Sequence, residues 1–161
     1  MSQGGLPIGL TIGGYHHGTT EKTRIVIGLD VGKSSHWACV ATRDGEVLAS
    51  KPVANRECEL DSLFAEFPGA LVVDQVRNIG ALALSRARAA GMPSAYLPGL
   101  AAHEASKLFG GDAKTDERDA MVIAKTALGI PDALLPVAHP APRSRRPGPS
   151  RRKGISWSAR T

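Results

Sequence analysis

Two short apolar runs that each end in an aspartate constrain this chain more than any other feature. Ile25-Val26-Ile27-Gly28-Leu29 leads into Asp30, and Ala70-Leu71-Val72-Val73 leads into Asp74. Runs of this length, rich in β-branched residues, suit strands buried on both faces. A charge at the end of such a run is costly unless it is paired or ligates a metal. If the two strands are neighbours, both carboxylates leave the sheet at the same edge. Open α/β sheets take their ligands at that carboxyl edge.

The elements around these runs follow in a definite order. His36–Ala41 reads as a second strand, Asp44-Gly45 as a hairpin turn, and Val47–Val53 as the returning strand, whose Pro52 suits a sheet edge. Asn55 is a candidate cap for a helix running to about Phe67, with Leu60, Leu63, Phe64 and Phe67 at helical spacing and Pro68-Gly69 as its stop. A helix is predicted over Asn78–Ala90, closed by Gly91, then a fifth strand over Pro93–Leu97. Two further helices, Leu100–Phe109 and Thr115–Leu128, complete the set, and Gly129–Val137 reads as a helix end that a partner domain would order. The fold class expected is α/β, a five-stranded mixed sheet flanked by helices.

The folded region is expected to span residues 23–137. Residues 1–22 are rich in Gly, His and Thr and read as a disordered leader; residues 138–161, nearly all Pro, Arg, Ser, Gly and Ala, read as a disordered basic tail. The net charge of +5 belongs to that tail. It holds seven of the 20 basic residues and none of the 15 acidic ones, which leaves the rest of the chain at −2. A nucleic-acid argument must therefore be made separately for tail and body. Cys39 and Cys58 form no CxxC pair and read as thiols of a reducing compartment. No apolar run approaches the roughly 20 residues of a membrane span, and no signal pattern opens the chain. A soluble, cytoplasmic protein is expected.

Asp116 and Asp119 add to the strand-end pair. They lie in Lys114-Thr115-Asp116-Glu117-Arg118-Asp119-Ala120, where a spacing of three puts both carboxylates on one helical face and Thr115 can cap the helix. Each feature alone has an ordinary explanation in turn, cap or helix-dipole chemistry. Together, four carboxylates from two strands and a helix suit hard cations such as Mg²⁺, of which a pair about 3.5–4 Å apart can clamp a phosphoryl transfer. Gly28-Leu29-Asp30-Val31-Gly32-Lys33-Ser34 nearly spells a P-loop, but three residues separate its glycines where four are needed, and Asp30 would repel the phosphates. An actin-like or sugar-kinase-like ATPase would need a second, similar half. His36 and Trp37 read as structural, His103 as a helix-surface residue, and His16-His17 as a poor metal site.

With these residues in hand, the stretch from about Ile25 to Val137 resembles the N-terminal domain of the insertion-sequence-110 family of DEDD transposases. Gly28-Leu29-Asp30-Val31-Gly32-Lys33 is similar to the family's first-strand motif, Ala95–Leu100 to the segment after its fifth strand, and Gly110–Ala120 to its most characteristic stretch. The resemblance implies a RuvC-like, RNase H-like fold. It places Asp30, Asp74, Asp116 and Asp119 at the four metal-binding, catalytic positions, with two Mg²⁺ (or Mn²⁺) ions. Asp74 stands where Glu is common, one methylene shorter with the same charge. Full members continue into a helical connector and a serine-bearing second domain; here the basic tail begins, so a frameshifted or truncated chain, inactive alone, is expected.

The resemblance also implies DNA, a structured guide-type RNA, a homo-oligomer when intact, and action on nucleoid DNA. Lys33, Lys114 and Arg118 are candidate nucleic-acid contacts, with Lys107 beside them. The function expected is metal-dependent phosphoryl transfer in DNA transposition. A stand-alone Mg²⁺-dependent junction nuclease and a nucleic-acid-binding inhibitor of an intact transposase remain open.

Overall fold

Burial on both faces decides where each strand lies. A computed structural model of the chain describes residues 25–111 and 113–137; the leader and the basic tail lie outside the described residues. Strand β1 (Ile25–Asp30) sits inside a six-stranded sheet. It pairs antiparallel with β2 (Ser35–Thr42), which pairs antiparallel with β3 (Val47–Ala54). On its other side β1 runs parallel to β4 (Ala70–Val73), and β4 runs parallel to β5 (Ser94–Tyr96). A two-residue strand β6 (Leu135–Pro136) closes the far edge antiparallel to β5, giving the order β3-β2-β1-β4-β5-β6. Gly45, at φ +87°, turns the β2–β3 hairpin, and Pro52 lies on the β3 edge as expected.

Side-chain alternation sorts the sheet into two faces. Ile27, Leu29, Ala38, Val40, Leu71 and Val73 pack against Leu60, Leu63 and Phe64 of α1 (Glu57–Glu66) and Ala83, Leu84 and Ala87 of α2 (Ala81–Ala89). Arg86 of α2 grips Asp61 of α1 with two 2.7 Å bonds. On the opposite face, Cys39 and Ala41 meet Ala120 and Ala124 of α4 (Asp116–Gly129), while Val72 and Val26 meet its Ile123 and Ala127. Helix α3 (Gly99–Ser106) lies beside α4 and adds Ala101 and Ala102 to that second cluster. Gly28 lets α4 come this close: a Cβ there would stand 2.5 Å from Ala120 O and Ala124 N.

Three expectations change in detail. The sheet has six strands because β6 is added by only two residues, too few to show a period. Gly129–Val137 accordingly holds a 3₁₀ turn, Pro131–Ala133, and this strand after the end of α4. The helix over Asn78–Ala90 begins as a 3₁₀ turn, Asn78–Gly80, with Asn78 at φ 51°. Asn55 does not cap α1. Arg56 takes the N-cap position without a side-chain bond, and Asn55 Nδ2 donates to Lys33 O at 3.2 Å. Among the described residues no helix is long and apolar enough to cross a membrane.

Candidate metal centre

The alternation that builds the core also aims the carboxylates. On β1, Val26 and Gly28 face α4, so Asp30 does too. On β4, Val72 faces α4, so Asp74 follows it. The register pairs Leu29 with Val73, which sets Asp30 and Asp74 side by side just beyond the last parallel rung. On α4, Asp119 lies one turn before Ile123 and two before Ala127, so it extends the buried stripe over the end of β1. Thr115 caps the helix by accepting from Arg118 N–H at 3.2 Å, which fixes where this first turn begins. Glu117, between the two aspartates, points elsewhere: its carboxylate accepts from Ser50 Oγ on β3 at 3.4 Å.

These elements enclose an open cleft of about 410 Å³. Asp30, Asp74 and Asp119 line it, with Lys114 and Arg118 from the α4 approach. Asp116 does not line the cleft, yet its charge acts on Asp30 from the exposed first turn of α4. Lys33 is exposed on the turn after β1, outside the cleft lining. Arg118 is partly committed, since its Nη2 donates to Phe109 O at 2.8 Å and Ser106 O at 3.2 Å, pinning the end of α3. Three polar lining residues are not singled out by the sequence as site residues: Gln75, His103 and Ser106. Gln75 follows Asp74 directly. His103 and Ser106 share a face of α3 at a spacing of three, a signal that only the packing of α3 against α4 makes readable.

The electrostatics are those of a carboxylate cluster. Burial, and then the charges of Asp74, Asp119 and Asp116, push the Asp30 carboxyl from 3.8 up to about 7. A side-chain hydrogen bond between them raises Asp30 further and lowers Asp74. Burial also raises Asp74, opposed by the Val31 N–H that donates to its Oδ1 at 3.0 Å. Among the described residues no three His, Cys, Asp or Glu side chains are gathered as a finished metal cage. The donor set nonetheless fits a hard divalent cation. Asp30, Asp74 and Asp119 line one cleft, and a cation there would relieve the mutual repulsion that raises Asp30.

Comparison with known proteins places this architecture. A family model described as the transposase of DEDD, IS110 type matches residues 27–145. The Insertion element IS110 uncharacterized 43.6 kDa protein of Streptomyces coelicolor is 46% identical over 113 residues, covering 67% of this chain and 28% of that protein. The IS116 protein of Streptomyces clavuligerus is 34% identical, over 68% of this chain and 28% of its own length. The IS900 protein of Mycobacterium paratuberculosis is 36% identical, over 62% and 27%. This chain therefore spans under a third of the curated relatives it matches. Among solved structures, T. thermophilus RuvC in complex with Holliday junction substrate superposes with a TM-score of 0.55 at 15% identity, over 70% of this chain and 99% of that one. A second T. thermophilus RuvC structure gives 0.52, also at 15% identity, over 63% and 91%. The family match takes in the two strand-end aspartates and the helix that faces them, on a sheet shared with RuvC, and the protein belongs to the IS110 family of DEDD transposases.

Proposed function

We propose that residues 23–137 are the nuclease domain of a transposase, with 1–22 as a leader and 138–161 as a basic tail. The domain would cut and transfer DNA strands by metal-dependent phosphoryl transfer. Asp30, Asp74, Asp116 and Asp119 are the proposed ligands of two Mg²⁺ or Mn²⁺ ions. The observation that carries this reading is the convergence of Asp30 and Asp74, from adjacent parallel strands, on one cleft with Asp119 of α4, with the Asp116 charge also acting on Asp30. Ions held there would activate the attacking oxygen and stabilise the leaving one.

The chain's own groups have distinct tasks. Asp30 would hold a cation in its ionised form. Asp119 closes on the pair from α4, and Asp116 adds charge from the same turn. Lys114, on the rim, and Lys33, on the turn after β1, hold the phosphate backbone as point charges. Arg118 contributes its positive field to the cleft while its Nη2 holds α3 in place.

DNA is the proposed partner, in line with the junction-bound RuvC that shares the fold. A structured RNA and a second copy of the whole transposase are further proposed partners, and the bacterial cytoplasm at the nucleoid is the proposed location. Because the chain spans 28% of its relatives' length, the complete recombination reaction is not proposed for it alone. Branched-DNA cleavage is the partial reaction to measure, since the fold neighbour carries a Holliday junction. The purified chain should nick a four-way junction in Mn²⁺, stop in EDTA, and fall at least a hundredfold in Asp30→Asn and Asp119→Asn. Cleavage that survives either substitution would refute the proposed site. Junction binding without metal and without cleavage would favour a binding role.

A further inference from the structure

The turn that follows β1 is held from several sides. Val31 N–H donates to Asp74 Oδ1 at 3.0 Å, and the next amide, Gly32 N–H, donates to His36 Nδ1 at 3.2 Å. Lys33 O accepts from Asn55 Nδ2 at 3.2 Å, and Ser34 O accepts from the Asn55 amide at 3.0 Å. Gly32 has no space for a side chain, because a Cβ would lie 2.0 Å from Ser35 O. The turn is therefore clamped by β2 and by the end of β3, and one of its amides grips an acidic group of the cleft.

His36 is the buried member of this clamp, at 2% exposure. Because its Nδ1 accepts from Gly32, the ring must be the neutral Nε2–H tautomer. Its Nε2 and the Oδ1 of Asn55 are both buried without a hydrogen-bond partner among the described residues. Imidazole and amide each hold a different peptide of the same turn. An apolar residue would fill the space as well but could not hold Gly32 N–H.

We propose that His36, with Asn55 holding the far side of the same turn, is a positioning residue for Asp74. It fixes the Gly32 amide, and the adjoining Val31 N–H is thereby aimed at Asp74 Oδ1, which sets the orientation of the Asp74 carboxylate towards a cation. This rests on the reading of Asp74 as a metal ligand. Residues that orient a ligand in this way typically change metal affinity by about 10–100-fold when removed.

The test uses the full chain, ¹⁵N-labelled, in the parent form and as His36→Leu, His36→Asn and Asp74→Asn. Hydrogen exchange at Val31 and Gly32 and the Kd for Mn²⁺, read from the paramagnetic signal of free ion, are measured for each. His36→Leu should speed exchange at both amides about tenfold and weaken Mn²⁺ by about tenfold. His36→Asn, which keeps an acceptor near the Nδ1 position, should recover most of both. Folded His36→Leu with parental exchange and parental Kd overturns the proposal. In the parent, the His36 ring nitrogens should report an unprotonated Nδ1, and an Nδ1–H ring overturns it even if no variant folds. If Asp74→Asn binds Mn²⁺ as the parent does, the ligand reading of Asp74 fails, while the exchange data still decide whether His36 holds the turn.

Discussion

Asp30 couples the chemistry of the cleft to the stability of the fold. Its carboxyl sits at about 7 in the folded chain against 3.8 when unfolded, so between these values the folded state binds the extra proton. Stability contributed by that proton is present at low pH and is lost as pH rises towards 7 and beyond. Asp74 is raised in the same sense by burial. His36 works against the trend on the acid side, because burial lowers its affinity for a proton and its charging below about 6.5 disfavours the fold. Comparing Asp30→Asn with the parent isolates the carboxyl. Without metal the variant should match the parent below about pH 4 and be more stable by about 1–2 kcal/mol at pH 8, after discounting for solvent screening. Thermal melts at the two pH values measure this, and equal melting temperatures at pH 8 would sink the idea. Added Mg²⁺ should raise the parent's melting temperature at pH 8, have little effect at pH 5, and leave Asp30→Asn unchanged at both. A variant that gained as much from Mg²⁺ as the parent would remove Asp30 from the ligand set.

Helix α4 is held over β1 by the absence of a side chain. Gly28→Ala would put a Cβ 2.5 Å from two backbone atoms of α4, which no rotamer change can relieve. The helix must move, at a cost of about 1–3 kcal/mol. Asp119 moves with it, so Mn²⁺-dependent cleavage should fall more steeply than stability does. A chemical melt alongside the cleavage assay separates the two, and unchanged cleavage in a destabilised variant would show that α4 does not set the site. Arg118 governs the neighbouring helix. Arg118→Ala should free the Ser106 and Phe109 carbonyls and speed amide exchange along α3, and Arg118→Lys should not restore it, because an ammonium lacks the guanidinium's fixed fork. Unaltered exchange in α3 would return Arg118 to a purely nucleic-acid role. Much of this was legible in the chain. The β-branched runs announced β1 and β4, and Asp-Gly announced the hairpin. Parity along each strand aims Asp30 and Asp74 the same way once their neighbours are known. What was not legible depended on packing between elements. Asn55 has the composition of a cap, but the turn at Lys33 claims its side chain. His103 is exposed on α3 as expected, but its place on the cleft is readable only once α3 is laid beside α4.

The whole molecule divides its charge in a way that predicts how it should meet DNA. Three carboxylates line the cleft, with Lys114 and Arg118 at its α4 side, while residues 138–161 carry seven basic side chains and no acidic ones. Binding of duplex DNA in EDTA should therefore be governed by the tail, with a steep loss of affinity as salt rises. Each phosphate contact removed lowers the slope of log K against log salt by about 0.9. A chain ending at residue 137 keeps β6 and Val137, which pack on the sheet and the first core face, so its melting temperature should equal the parent's. Its slope should be shallower by several units, and its affinity in low salt correspondingly weaker. Adding Mn²⁺ should restore part of the junction affinity to this shortened chain and not to its Asp30→Asn form, because the cleft then contributes through the bound cation. Fluorescence anisotropy at a series of salt concentrations checks both halves of the argument. Equal slopes with and without the tail would place DNA affinity in the body despite its net charge of −2 over residues 1–137, and Lys33 and Lys114 would then be the first residues to replace.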